Sequence, residues 1–433
     1  MKKLDKTKLL YLFLILQPII DLITSIMTRF VNFDITLGMI TRALFLIILL
    51  IYTIFFNNSK YKRKTIIYFI IFFMFILLYF LTKPDIFKLD FLIKEVTNLF
   101  KYFYLPITSV CLLNCFDSLR IDKEKIGKIF VINVVVFSVL IIIPELTNTS
   151  FSSYYGSNSG SVGWFFAANE VGAILTLLFP YIYKLGHQNR LVKLLICAIF
   201  IIVAMMIIGT KTAFFGMILT EIVFCIYFLI IRKKITIKPF LIALLILIIS
   251  TVLIPSLPAT NNMKNHIDRV TEEENVTDVE EEDNYEDKQN TLFGRILKVA
   301  LSSRDIYLYD TYDIYEESAT VDKVFGIGFV NRQSIDNSKI KKLIEIDIFD
   351  IFFHYGIIGF IVYFAPILWI YFKSIYEVIR NKLKLDFSKL LYLYAITLLI
   401  GISCLAGHIF GAPAVSIYLA FSLVLLNREY EEK

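Results

Sequence analysis

The stretch LVKLLICAIFIIVAMMIIGTKTAFFGMILTEIVFCIYFLIIRKK, residues 191–234, is two apolar runs joined by the turn Gly209-Thr210-Lys211-Thr212 and closed by a basic segment. A helix needs roughly 20 mostly apolar residues to cross a bilayer. Leu191–Ile208 and Thr212–Ile231 each come close to that length. The stretch therefore reads as a transmembrane hairpin, with GTKT on one face and the basic ends on the other.

The same pattern continues in both directions. Hydropathy places about twelve spans, near Leu9–Thr28, Ile35–Phe56, Thr65–Leu81, Leu99–Phe116, Ile126–Ile143, Val162–Tyr183, the two above, Phe240–Leu257, Ile346–Phe372, Leu390–Gly407 and Ile409–Leu426. Composition agrees: 57% of the 433 residues are hydrophobic, 40 are Phe, and the mean hydropathy is +0.69. That excludes an ordinary soluble domain. MKKLDKTK runs into the first span with no small-residue cleavage site behind it, so a cleaved leader is not expected. Cys111, Cys115, Cys197, Cys225 and Cys404 all lie in apolar runs and lack metal-ligand spacing, so they read as packing residues.

Lys and Arg in the short loops set the orientation. With the N-terminus inside, the inner segments read KKLDKTK, SKYKRK, LRIDKEK, KLGHQNRLVK, RKKITIK and KSIYEVIRNKLKLDFSK, and hold 23 of the 44 basic residues, with two more in the tail after the last span. The outer segment ELTNTSFSSYYGSNSG holds none. Both termini are expected in the cytoplasm, with the chain in the plasma membrane. The fold class expected is all-α and polytopic. Residues 1–258 carry spans one to nine, 259–345 form a large extracytoplasmic loop, and 346–433 carry the last three spans and a tail. Within the loop an acidic insert, about 268–290, is expected to be disordered. NTLFGRILKVALSSRDIYLYDTYDIYEES, residues 290–318, reads as one or two amphipathic helices, and VDKVFGIGF, residues 321–329, as a turn.

Charges within spans cost roughly 2.5–3.5 kcal/mol each and so face an interior or a cavity. Asp21 and Arg42 fall at similar depth on neighbouring spans. They form a buried ion pair, or Arg42 also meets an anionic headgroup. Asn169, Gly172 and Thr176 share a face beside Glu170. Asp347, Asp350 and His354 follow helical spacing at the start of the tenth span. Asn169, Glu170, Lys211, Arg304, Glu345, Asp347 and His408 all map to the outer boundary, which points to a polar cavity there.

No GxxxxGK, HExxH or CxxC is present, so no nucleotide, metal or other cofactor is expected, and nothing suggests a nucleic-acid partner. Two classes remain: a transporter, or an enzyme acting on a lipid-linked substrate. Repeat-built transporters have matched halves and midplane sites. Here the loop divides the spans nine to three and the polar residues cluster outside, which favours the enzyme.

GWFFAANEVGAIL, GTKTA, SSRDIY followed by VFGIGF, EIDIFDIFFHYGIIG and AGHIFGAP occur in one order around a large outer loop. In that order and topology the chain resembles the O-antigen ligase and Wzy-type polysaccharide polymerase family over most of its length. The resemblance implies a GT-C-like architecture and polyprenyl-diphosphate-linked glycans as donor and acceptor. It also implies metal-independent transfer within the bilayer, beside a flippase and a chain-length regulator. Arg304 matches the loop arginine implied in diphosphate handling, and Lys211 stands where many members carry a basic residue. The ligase branch has a histidine before the tenth span; here Glu345 occupies that place, which favours polymerisation over ligation. The chemistry then asks for fixed cations at the departing diphosphate, Arg304 and Lys211, and a carboxylate base, Glu345 or Asp347. Arg42, Asn169, Glu170 and His408 complete the expected substrate-binding set.

Overall fold

A computed structural model describes residues 6–31, 36–83, 87–119, 121–154, 159–231, 237–277, 301, 304–329, 343–380 and 387–431. In chain order the helices are α1 (Lys6–Ile15), α2 (Gln17–Val31), α3 (Leu37–Ile51), α4 (Lys62–Leu81), α5 (Leu89–Leu119) and α6 (Lys123–Leu146). A small antiparallel hairpin follows, β1 (Phe151–Ser152) with β2 (Ser161–Gly163). Then come α7 (Ala168–Leu178), α8 (Tyr183–His187), α9 (Leu191–Ile208), α10 (Lys211–Ile231), α11 (Ile237–Leu253) and α12 (Pro258–Thr277). The last five are α13 (Arg304–Glu317), α14 (Thr320–Phe325), α15 (Asp347–Arg380), α16 (Phe387–Ser403) and α17 (Pro413–Glu431).

Local chemistry sets several of these boundaries. The Asp122 carboxylate accepts from the Glu124 backbone N–H at 2.9 Å and caps α6, and Thr36 Oγ1 accepts from Met39 N–H at 3.3 Å to start α3. The first expected span is two helices, α1 and α2, meeting at 50° just before Pro18. A proline there withholds an N–H and crowds the preceding turn. Pro180 likewise breaks the sixth span into α7, a 3₁₀ turn over Phe179–Ile182, and α8.

Each of the twelve expected segments contains helix, but the sixth begins in β2, and the last two meet across the non-helical residues 404–412. Among the described residues, however, only eight helices are long and apolar enough to cross a membrane, or nine if α1 and α2 count as one span. The shortfall falls on α7, α16 and α17, which proline, polar turns or short length cut below a full crossing.

Burial separates the centre of the bundle from its rim. In α5 the most apolar stretch is 83% buried, against 22% for α4 and for α11. Residues 414–427 of α17 are all buried, and this helix packs along α5. A helix covered on every side marks the core. Rim helices instead expose large side chains, such as Phe73 at 74% and Phe55 at 71%, as a lipid-facing surface requires.

The tenth expected span is broken from within. Gly356 has φ 68° and ψ −174° inside α15, which takes the helix out of register. The segment after α14 fills the gap: Ile327 N–H donates to Phe353 O at 3.0 Å and Gly328 N–H to His354 O at 3.1 Å. Carbonyls that the break would leave bare are thereby satisfied. VDKVFGIGF, expected as a turn, is thus a short helix over Thr320–Phe325 followed by an irregular docking segment. The acidic insert also begins differently from expectation, because α12 stays helical through Thr277; residues 278–290 lie outside the described set.

Candidate functional site

A cavity of about 430 Å³ opens among one set of ends of α2, α3, α5, α7 and α15, closed by the loop before α17. Asp21, Arg42, Asn98, Lys101, Glu170, Glu345, Asp347 and His408 line it, with Tyr102, Phe165 and Phe166. Of the seven residues expected at a polar cavity, Glu170, Glu345, Asp347 and His408 line it, joined by Arg42 from the expected substrate-binding set; Arg304 is not in the lining.

Two loops meet at its mouth, and both are held in rare backbone geometry. Glu345 has φ 58° and His408 has φ 68°, values uncommon outside glycine. Gly407 lies against the Glu345 backbone, where an added Cβ would come within 2.8 Å of its carbonyl. Asp347 fixes this arrangement. One of its carboxylate oxygens accepts from the backbone N–H groups of Ile409 at 2.9 Å and Phe410 at 2.8 Å. Asp347 is 2% exposed, so its geometry is that of a clamp on the His408 loop.

Glu345 is the meeting point. Its Oε2 accepts from Arg304 Nη2 at 3.3 Å, and His408 Nε2 stands 3.9 Å from the same oxygen. Burial alone would lower the His408 pKa. The Glu345 carboxylate beside the ring, with the negative charges of Glu170 and Asp347, outweighs it and holds the imidazole above its ordinary 6.5. Arg304 comes from the first turn of α13, which packs on α15.

Arg42 is committed elsewhere. Its Nη2 donates to Asp21 at 2.5 Å and to Gln17 Oε1 at 2.9 Å, and its Nε donates to the same Gln17 oxygen at 3.1 Å. The ion pair expected from depth is present, with Gln17 as an additional partner. Arg42 still borders the cavity, but much of its fork is engaged.

Asn169 and Lys211 do not line the cavity. The face that Asn169 shares with Gly172 and Thr176 turns to α10 instead: Thr176 Oγ1 donates to Thr212 O at 3.2 Å, and Gly172 abuts Thr210. Glu170, one residue on, points the other way and reaches the cavity. Lys211 starts α10 and feels the charge of Arg304 from outside the lining.

Lys101 and Asn98 of α5 were not anticipated. Lys101 lies inside the run Leu99–Phe116, so the argument that singled out Arg42 applies to it equally; its charge acts on Glu170. The hairpin wall was also unforeseen. Arg29 donates to Phe165 O at 2.9 Å and sits 4.0 Å from the Phe151 ring centroid, while Ser25 Oγ donates to Trp164 O at 2.7 Å. These contacts join segments 122 to 139 residues apart in the chain, a separation that no local pattern announces.

A polytopic helical membrane protein with a charged cavity at one end of its bundle is the class that this fold and site define. The chain belongs to the O-antigen ligase like membrane protein family, whose model matches residues 3–432. That membership supports glycan transfer on lipid-linked substrates in the membrane. No curated protein gives a significant match.

Proposed function

We propose that this protein joins polyprenyl-diphosphate-linked oligosaccharide units into a surface polysaccharide at the outer face of the membrane. The observation that carries the reading is Glu345, a carboxylate placed between Arg304 and His408 over a cavity that also holds Lys101. A hydroxyl of the acceptor sugar attacks the anomeric carbon of the donor, and its proton passes to Glu345. The bond from that carbon to the diphosphate oxygen breaks, and the diphosphate leaves on its lipid. Arg304, protonated His408 and Lys101 are the cations for the charge that builds on it. Asp347 acts as a positioning residue, because it holds the loop that carries His408.

A second reading, transfer of a finished glycan to a different acceptor, is favoured by one observation. Glu345 stands in the place of the ligase-branch histidine, yet His408 brings an imidazole within 3.9 Å of it from another loop. Purified protein supplied with lipid-linked units tests both the residue and the reaction. Glu345→Gln should lower the rate by about 10² or more, the scale of a lost acid–base group. An unchanged rate removes Glu345 as the base.

A further inference from the structure

The cavity holds three side chains that the transfer step leaves without a role. Asn98 and Glu170 line it half-buried, and neither makes a hydrogen bond or ion pair with the described residues. Phe166 lines it with 51% of its surface exposed. By contrast Asp21 is held by Arg42, Glu345 by Arg304, and Asp347 by the backbone of Ile409 and Phe410.

The charges around Glu170 decide what it meets. His408, Arg42 and Lys101 act on it as cations, and Asp21 as a like charge. A carboxylate repels the diphosphate that those cations attract, so Glu170 marks a part of the cavity closed to phosphate oxygens. It accepts hydrogen bonds and donates none. Its ligand is therefore a neutral donor, and sugar hydroxyls are the donors that a lipid-linked glycan carries. Asn98 adds an amide that both donates and accepts.

Phe166 supplies an apolar surface beside them. Arg29 donates to the Phe165 carbonyl at 2.9 Å and lies 5.1 Å from the Phe166 ring centroid, which fixes the ring from the hairpin side. An open aromatic ring among a few placed polar groups suits a pyranose, whose C–H face is apolar and whose rim carries hydroxyls. Position selects the sugar. Asn98 stands one turn before Lys101 on α5, and Lys101 acts on Glu170. With Lys101 as a cation for the diphosphate, the sugar that reaches these groups is the one joined to that diphosphate. We propose that Glu170, Asn98 and Phe166 form the subsite for the first sugar of the donor, the one whose anomeric carbon is attacked; this rests on the glycan-transfer reading of the cavity.

Binding to the full-length protein in nanodiscs tests the subsite apart from turnover. The probes are two radiolabelled lipids: polyprenyl diphosphate, and the same lipid carrying only the first sugar of the source cell's repeat unit. The wild type should bind the sugar-bearing lipid more tightly by about tenfold or more, the scale of a hydrogen bond to a charged group. Glu170→Gln should lose most of that margin yet bind the bare lipid at least as well as the wild type, because a charge that repels the diphosphate is gone. Phe166→Ala should also narrow the margin, while Phe166→Trp keeps it. Bare-lipid binding shows that each variant is folded. Equal binding of the two lipids by the wild type, an unchanged margin in Glu170→Gln, or parallel loss of both lipids in Glu170→Gln and Phe166→Ala overturns the subsite, even where a product ladder still forms. Protein that shows the expected margins but joins no glycans supports the subsite and sinks polymerisation alone.

Discussion

Arg304, at the start of α13, and His408, in the loop before α17, approach one carboxylate, and their removal should have separable effects. Arg304→Ala takes away a two-pronged donor for phosphate oxygens and should cut turnover by about 10². Arg304→Lys keeps the charge without the fork and should fall between. Polymer length on a gel reads this, with membrane level held equal; normal length in Arg304→Ala would remove the residue from the mechanism. His408 should show itself in pH. Its pKa is raised in the folded protein, so its protonated form persists above the ordinary 6.5 and is lost as pH rises through the raised value. Any stability from its contact with Glu345 is fully present below that ordinary value and disappears over the same alkaline interval. The transfer rate should fall there too, and His408→Gln should be slower and lack this limb; an identical alkaline limb in the variant would assign it to another group. At this scale the sequence was a partial guide. The Asp21–Arg42 pair was legible because two charges at one depth in apolar runs have few alternatives. Asp347 was legible as a polar residue at the site but not as a clamp, since its partners are backbone N–H groups 62 and 63 residues away.

Among the elements, α15 shows most clearly how loop and bundle are joined. Its break at Gly356 and the docking segment depend on each other: a Cβ on Gly356 would overlap Gly326 N and come within 2.5 Å of Val324 O, and one on Gly326 would overlap the His354 carbonyl. Lys83 seals the joint by donating to the Gly326 carbonyl, and buried Glu95 accepts from Phe329 N–H at 2.7 Å and from the Tyr79 hydroxyl at 2.9 Å. Gly356→Ala adds both this overlap and a positive-φ cost of about 1–3 kcal/mol. It should lower the melting temperature in detergent, measured by size-exclusion recovery after heating, whereas Gly401→Ala, with open space at its Cβ, should not. Equal melting of the two variants would show that the docking joint is not needed for stability. Positions of helices were readable because apolar runs of about 20 residues have one solution in a bilayer. The break was not, since a glycine in an apolar run gives no sign of which segment will fill the gap.

For the whole molecule, the polytopic helical class and the gathering of charged residues at one end of the bundle followed from where apolar runs stop and charges begin, whereas twelve full crossings did not. The depth of α5 and α17 in the bundle did not, because every span is apolar and only packing separates core from rim. Nor did the exclusion of Lys211 and Asn169 from the cavity, which depends on how α7 rotates against α10. The central claim is that this bundle polymerises lipid-linked glycans at that cavity. Its most direct test is purified protein in nanodiscs, given only polyprenyl-diphosphate-linked repeat units and no other acceptor. The account predicts a ladder of products rising by one repeat unit, abolished by Glu345→Gln. A single transfer product that forms only when a different acceptor is added, or no glycan transfer at all by well-folded protein, would contradict it.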